Sequence, residues 1–96
     1  MTDKFHLGRV VATPGALEAL AAAGQEPGEF LRRHLAADWG EDLCDEDRRL
    51  NDEALQDGSR ILSSYSTKAR ARLWIISEAC GDDGRRASTC LLLPEE

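Results

Sequence analysis

The stretch GSRILSSY, residues 58–65, decides the fold class, because the spacing of apolar residues changes there. Before Gly58, apolar side chains recur every three or four residues, as on a helix. After Gly58 they alternate with polar side chains, as on a strand. Three strands are therefore predicted in the second half of the chain, at 60–65, 72–78 and 87–93. The turn residues at 81–84 and the short links between strands make these three antiparallel.

Helices are predicted upstream of this change, at about 14–23, 27–39 and 45–57. The first two begin with proline at the first helical position, and Gly24 and Gly58 are natural stops for the first and third. Leu50 and Ala54 are predicted to face inward on the third helix. A further strand is predicted at 5–12. We expect one α+β domain, residues 1–96, in the order β-α-α-α-β-β-β, with three helices on one face of a mainly antiparallel sheet of three or four strands.

Composition indicates a folded globular domain rather than a disordered chain, since 42% of the 96 residues are hydrophobic and 31% are charged. The net charge is −6 and is unevenly placed. Eight acids and two bases lie between 41 and 57, whereas six bases and three acids lie between 59 and 86. The net charge disfavours a general nucleic-acid binder. The acidic middle is either a solvated surface or a surface that meets a basic partner.

The cysteines and the N-terminal residues indicate the cellular compartment. Cys44, Cys80 and Cys90 form no C-x-x-C pair, and no apolar leader follows Met1. No segment approaches the ~20 apolar residues of a membrane span. We expect a cytoplasmic protein whose thiols pack as small hydrophobic groups. The histidines and cysteines lack zinc-ligand spacing, so neither a metal nor a cofactor is expected.

The segment HLAADWG, residues 34–40, is the main candidate for catalytic chemistry. His34 and Asp38 are one helical turn apart and can share a face. They fit a general base oriented by a carboxylate, with a hydroxyl from a nearby serine or from Tyr65. The same two residues also fit a structural corner at a helix end. A small hydrolase or transferase would use His34, Asp38, Asn51 and Glu78.

Two binding functions compete with catalysis. The first is a protein-binding surface on the acidic third helix, with the residues Asp45, Glu46, Asp47, Asp52, Glu53 and the neighbouring Trp39. The second is a nucleic-acid-binding module that uses the arginines Arg60, Arg70, Arg72, Arg85 and Arg86. The acidic net charge disfavours direct nucleic-acid binding. The chain is also compatible with a homodimer.

A series of motifs runs through nearly the whole chain in one order: TPGAL at 13–17, FLRRH at 30–34, DWG at 38–40, ED at 46–47, Asn51, AL at 54–55, RILS at 60–63, LWII at 73–76, EA at 78–79 and LLLPEE at 91–96. This series resembles a group of small proteins of bacterial plasmids and other mobile elements, often labelled plasmid-related proteins. The resemblance implies a bacterial cytoplasmic protein among genes for plasmid maintenance, defence and counter-defence. It implies no particular activity.

The chain departs from the pattern of that group at two places. Ala37 stands where the group usually has glycine, and the segment 80–86 replaces an acid–arginine pair with a longer loop. The loss of this pair disfavours an enzyme. We therefore expect a non-catalytic accessory protein of a mobile element, which binds a protein partner and inhibits host defence or nucleic-acid-handling machinery.

Overall fold

The computed structural model describes residues 3–96, which form three helices and four strands in the order β-α-α-α-β-β-β. The strands are β1 Arg9–Ala12, β2 Ile61–Ser66, β3 Arg72–Ser77 and β4 Ser88–Leu92. The helices are α1 Pro14–Ala23, α2 Pro27–Leu35 and α3 Asp45–Asp57. The predicted α+β class and element order are confirmed.

The four strands form one mixed sheet in the order β1-β4-β3-β2. The three C-terminal strands are antiparallel to their neighbours, as predicted, whereas β1 pairs parallel with β4. This parallel strand is held at both ends, because Arg9 N–H donates to Ala87 O at 3.0 Å and Thr13 N–H donates to Leu91 O at 3.0 Å. Thr13 then caps α1, so the first helix begins directly at the sheet edge.

Two predicted boundaries were wrong, for local reasons. The first strand begins at Arg9 rather than at residue 5, because Gly8 has a φ of 67° and bends the chain there. The second helix ends at Leu35 rather than near Trp39. Ala37 has a φ of 64°, a left-handed conformation that ends the helical path.

Helices α1 and α2 cover one face of the sheet, and α3 lies beside the outer edge of β2. Leu20 of α1 and Phe30 of α2 pack with Tyr65, Ile75 and Leu91 in one core cluster. A second cluster, beside α3, contains Trp39, Leu43, Ala54 and Ile61. The inward position predicted for Ala54 is confirmed. That predicted for Leu50 was wrong, since Leu50 is 48% exposed on the outer side of α3.

Candidate functional site

His34 lies in the core between two strands and not in a cleft. It projects from α2, is fully buried, and contacts one serine of β2 and one serine of β3. Its Nδ1 is 2.5 Å from Ser63 Oγ, and its Nε2 is 2.9 Å from Ser77 Oγ. Both serines are also fully buried. Of the hydroxyls predicted near His34, those of two serines do meet it, out of contact with solvent, whereas that of Tyr65 donates to the Asp38 carbonyl instead.

The hydrogen bonds of this group continue across the sheet, and their direction is set at the far end. Ser77 Oγ lies 2.6 Å from Thr89 Oγ1, and Thr89 donates to the carbonyl oxygen of Leu7 at 2.7 Å. Because a carbonyl only accepts, the single Thr89 proton is used there and Ser77 must donate to Thr89. His34 Nε2–H therefore donates to Ser77, and the unprotonated Nδ1 accepts from the Ser63 hydroxyl.

The surroundings of His34 favour the neutral ring. Phe5 and Trp39 pack edge-on against it, with centroid distances of 5.1 and 5.9 Å. Burial, and secondarily the positive charge of Arg86, lower the pKa of His34 to about 3. A general base that works near neutral pH needs a pKa closer to the ambient pH and access to its substrate. His34 has neither.

The expected contact between His34 and Asp38 is not formed. The Asp38 carboxylate turns to solvent and accepts from Arg33 Nε at 2.7 Å. This hydrogen bond is the main cause of the lowered pKa of Asp38. Arg33 also donates to Glu41 at 2.9 Å and lies over the Tyr65 ring, 4.6 Å from its centroid. The two residues diverge because α2 ends at Leu35, so the helical spacing that would align them is lost.

The other two predicted catalytic residues are also apart from His34. The side-chain amide of Asn51 donates to the carbonyl oxygen of Leu62 at 2.6 Å and accepts from its N–H at 3.1 Å. Glu78 follows β3 and is exposed. His34, Asp38, Asn51 and Glu78 therefore occupy separate environments and form no common pocket in the part of the chain that is described.

The segment 38–40 lies along the outer edge of β2. The Asp38 carbonyl accepts from Tyr65 Oη–H at 2.6 Å, and the Trp39 carbonyl accepts from Ser64 N–H at 3.0 Å. A Cβ on Gly40 would overlap the Ser64 carbonyl oxygen. Together with the Asn51 amide, this segment occupies hydrogen-bonding groups of β2 that would otherwise be an open sheet edge. The motif is structural at this edge.

Trp39 was predicted to belong to a binding surface, and this prediction was wrong. The side chain is 3% exposed and lies in the core cluster beside α3. Its indole Nε1–H donates to Asp52 Oδ1 at 3.0 Å, which anchors the segment to the third helix.

Most of the acidic residues predicted on the third helix are exposed. The exposed residues of α3 include Asp45, Glu46, Asp52, Glu53 and Asp57, and Asp47 is half-buried. Among residues 3–96, Arg49 with Glu53 is the only ion pair of this helix, at 3.1 Å. Arg48 instead turns back and donates to the carbonyls of Leu43 and Gly40. The first-turn carboxylates are thus left unneutralised by side chains.

One of the arginines predicted to contact nucleic acid is buried. Arg86 is 6% exposed, and its guanidinium donates to the carbonyls of Ser59, Glu78 and Ala54 at 2.6, 2.9 and 3.1 Å. The Ala54 carbonyl belongs to the last turn of α3, where a positive charge is favourable. Arg60, Arg70, Arg72 and Arg85 are exposed. Arg86 is unavailable to a phosphate group.

Sequence reasoning missed the roles of Thr89 and Arg86 as buried polar residues. Thr89 falls within a predicted strand, where the alternation of polar and apolar residues marks its inward face. Nothing local distinguishes Arg86 from the exposed Arg85 beside it, because its three acceptors lie far away along the chain.

Residues 3–96 contain no cluster of three or more histidine, cysteine or acidic side chains placed to bind a metal ion. In the same range, no helix combines the length and the apolar character that crossing a membrane requires. Comparisons with protein-family models, curated proteins and solved structures find no match to this chain.

Proposed function

We propose that this protein is a non-catalytic accessory protein of a bacterial mobile element that binds a protein partner through the acidic outer side of α3. The observation that carries the proposal is a row of exposed residues along this helix, spaced by three or four: Glu46, Leu50, Glu53 and Asp57. At 1.5 Å per residue the row is about 16 Å long.

The row combines charge with one apolar anchor. Leu50 is 48% exposed, and it is flanked along the helix by Glu46 and Glu53. A single exposed leucine is ordinary on a protein surface. Between carboxylates, however, it suits a partner that has an apolar pocket with a basic rim, since rim charges orient a complex and its apolar centre supplies affinity.

A groove that binds nucleic acid has such a basic rim, and a row of carboxylates can occupy it in place of phosphates. The proposal therefore extends to an inhibitor of host defence or nucleic-acid-handling machinery in the bacterial cytoplasm. The enzyme alternative is not supported by a converging set of side chains. Direct nucleic-acid binding would have to do without Arg86, which is buried.

The test is capture of a partner from a bacterial lysate by the full chain, followed by measurement with the purified partner. Replacing Asp45, Glu46 and Asp47 by lysine should abolish capture, and Leu50→Ser should weaken it. Asp82→Lys with Asp83→Lys, in the exposed turn at 81–84, is the matched control. Circular dichroism should show that each variant is folded.

Binding should weaken as salt rises from about 0.05 to 0.5 M, because exposed charges are screened over a shorter distance. Duplex DNA should compete for the same site on the partner. Capture that is unchanged by the α3 variants would refute this surface. If duplex DNA does not displace this protein from the captured partner, the partner's nucleic-acid site is not the site that is bound. That result would refute the inhibition of a nucleic-acid site but not the use of α3 as the binding surface.

A further inference from the structure

Among residues 3–96, no helix packs over the centre of the second face of the sheet. The pairing register places Ser64, Trp74 and Leu92 in one row across β2, β3 and β4. The next row contains Leu62, Ile76, Cys90 and Val11. Side chains in register on neighbouring strands point to the same side of a sheet. Both rows lie opposite the helices, because their neighbours along each strand form the core.

This open face carries an apolar band. The band contains Val11, Trp74, Ile76, Cys90 and Leu92, and none of them belongs to either core cluster. Val11 is 40% exposed and the other four are half-buried. Leu62, at the edge, packs against the cluster beside α3. A contiguous, partly exposed apolar patch of this kind is found at interaction surfaces.

Strand β3 places opposite charges at the two ends of the band. Along the open face the residues read Arg72, Trp74, Ile76 and Glu78. Arg72 and Glu78 are both exposed, and neither has an ion-pair partner among residues 3–96. Arg72 and Glu78 are six positions apart, which corresponds to about 20 Å along a strand. Read backwards, the order is negative, apolar, apolar, positive, which complements the forward order.

We propose that this face binds a second copy of the same chain, with the two sheets face to face and their β3 strands antiparallel. The two-fold axis runs perpendicular to the strands and passes between Trp74 and Ile76. Arg72 of each copy then lies over Glu78 of the other, and Trp74 lies over Ile76. A two-fold axis along the strands would instead place Arg72 over Arg72 and Glu78 over Glu78, and like charges opposed in this way are unfavourable.

The other charges on this face agree with the antiparallel arrangement. Glu78 donates its N–H to the Ser88 carbonyl, and Ser88 pairs with Arg9, so Arg9 shares the end row with Glu78. The strand direction puts Arg60 in that row too, beyond Ile61. In the proposed dimer Arg60 faces Ser66 of the other copy, and no arginine meets an arginine.

The size of the face predicts a reversible dimer. Three gaps of ~4.8 Å between strands and a length of ~20 Å along β3 give a plan area on the order of 300 Å² for each copy. The total area buried is therefore below the roughly 1,200 Å² of ordinary stable interfaces. The dimer does not depend on the proposed function, because no residue of α3 belongs to the apolar band.

The test is the mass of the full chain, measured by sedimentation velocity from micromolar to about millimolar concentration. We expect a monomer at the low end and a dimer at the high end. Trp74→Glu should leave a monomer throughout. Arg72→Glu and Glu78→Arg should each weaken the dimer about tenfold or more, because each variant creates two like-charge contacts.

The double variant with Arg72→Glu and Glu78→Arg should recover the dimer, because the exchange restores opposite charges in both contacts. Lys68→Glu and Asp82→Arg are exposed controls for the charge changes and should have no effect. A chain that is monomeric at every concentration would refute the proposal. A dimer that survives Trp74→Glu would place the interface elsewhere, and failure of the exchange to restore the dimer would refute the antiparallel register.

Discussion

Mild acid should destabilise this protein because of one residue, His34. The side chain is fully buried and neutral, and folding lowers its pKa to about 3 from an ordinary value of 6.5. The unfolded chain therefore binds a proton more readily than the folded chain does. Stability that is fully present above pH 6.5 is lost as the pH falls from 6.5 toward 3.

The size of the effect follows from the two pKa values. Each pH unit below the unfolded pKa costs about 1.4 kcal/mol until the folded pKa is reached. Between pH 7 and pH 5 the free energy of unfolding should fall by about 2 kcal/mol. This is a large part of the ~5–14 kcal/mol expected for a domain of this length. Asp38 and Glu41, whose pKa values are also lowered, act in the same direction but mainly below about pH 5.

Urea unfolding at pH 7.0, 6.0, 5.5 and 5.0 measures this dependence. His34→Gln keeps one donor and one acceptor in the core but cannot titrate, so its stability should be nearly constant over this range. His6→Gln, at an exposed position, is the matched control and should keep the wild-type slope. Arg86→Met should keep the slope over this range, because burial is the main cause of the low pKa of His34 and the folded ring stays neutral down to pH 5 without the Arg86 charge.

A wild-type stability that changes no more than that of His34→Gln between pH 7 and pH 5 would refute the reasoning. It would mean that the folded and unfolded chains bind the His34 proton equally well. A loss of slope in His6→Gln as well as in His34→Gln would assign the effect to the removal of any histidine, and not to the buried ring.

Three further substitutions test the structural roles assigned above, each by urea unfolding at pH 7. Gly40→Ala should lower the free energy of unfolding by about 3 kcal/mol or more, since Gly40 has a φ of 94° and a methyl group there would overlap the Ser64 carbonyl. Gly84→Ala is the control: Gly84 has a φ of 75° but no atom nearby, so the loss should be only about 1 kcal/mol. An equal cost at both glycines would exclude the close approach to β2. Arg86→Met should cost about 2–4 kcal/mol, because the buried carbonyls lose charged donors. Asn51→Ala should cost about 1–3 kcal/mol by uncovering the β2 edge, and a neutral result would show that water replaces the amide.

Most of the elements could be predicted because their signals are local. Thr13 before a proline and Gly24 after an alanine-rich run bound the first helix within a few residues of sequence. The change of apolar spacing at Gly58 separates the third helix from the strands in the same way. The errors at Gly8 and Ala37 concern single residues whose positive φ the neighbouring sequence does not signal.

The partners of the candidate site could not be predicted in this way. His34 and Asp38 looked coupled because they are four residues apart, yet His34 bonds to serines 29 and 43 residues away, while Asp38 pairs with Arg33. Asn51 and Trp39 were assigned to function, but both accept hydrogen bonds from backbone N–H groups at the outer edge of β2.

The order and type of the elements are therefore determined by the local sequence, because capping, turn chemistry and apolar spacing act within one or two turns. Whether a polar residue is buried, which group it meets and which face of the sheet stays open depend on how distant elements pack. Arg85 and Arg86 illustrate the difference: they are adjacent and chemically identical, but one is exposed and the other is enclosed by three carbonyls, one from α3 and two from the segments just before β2 and just after β3. Only the packing of those elements distinguishes them.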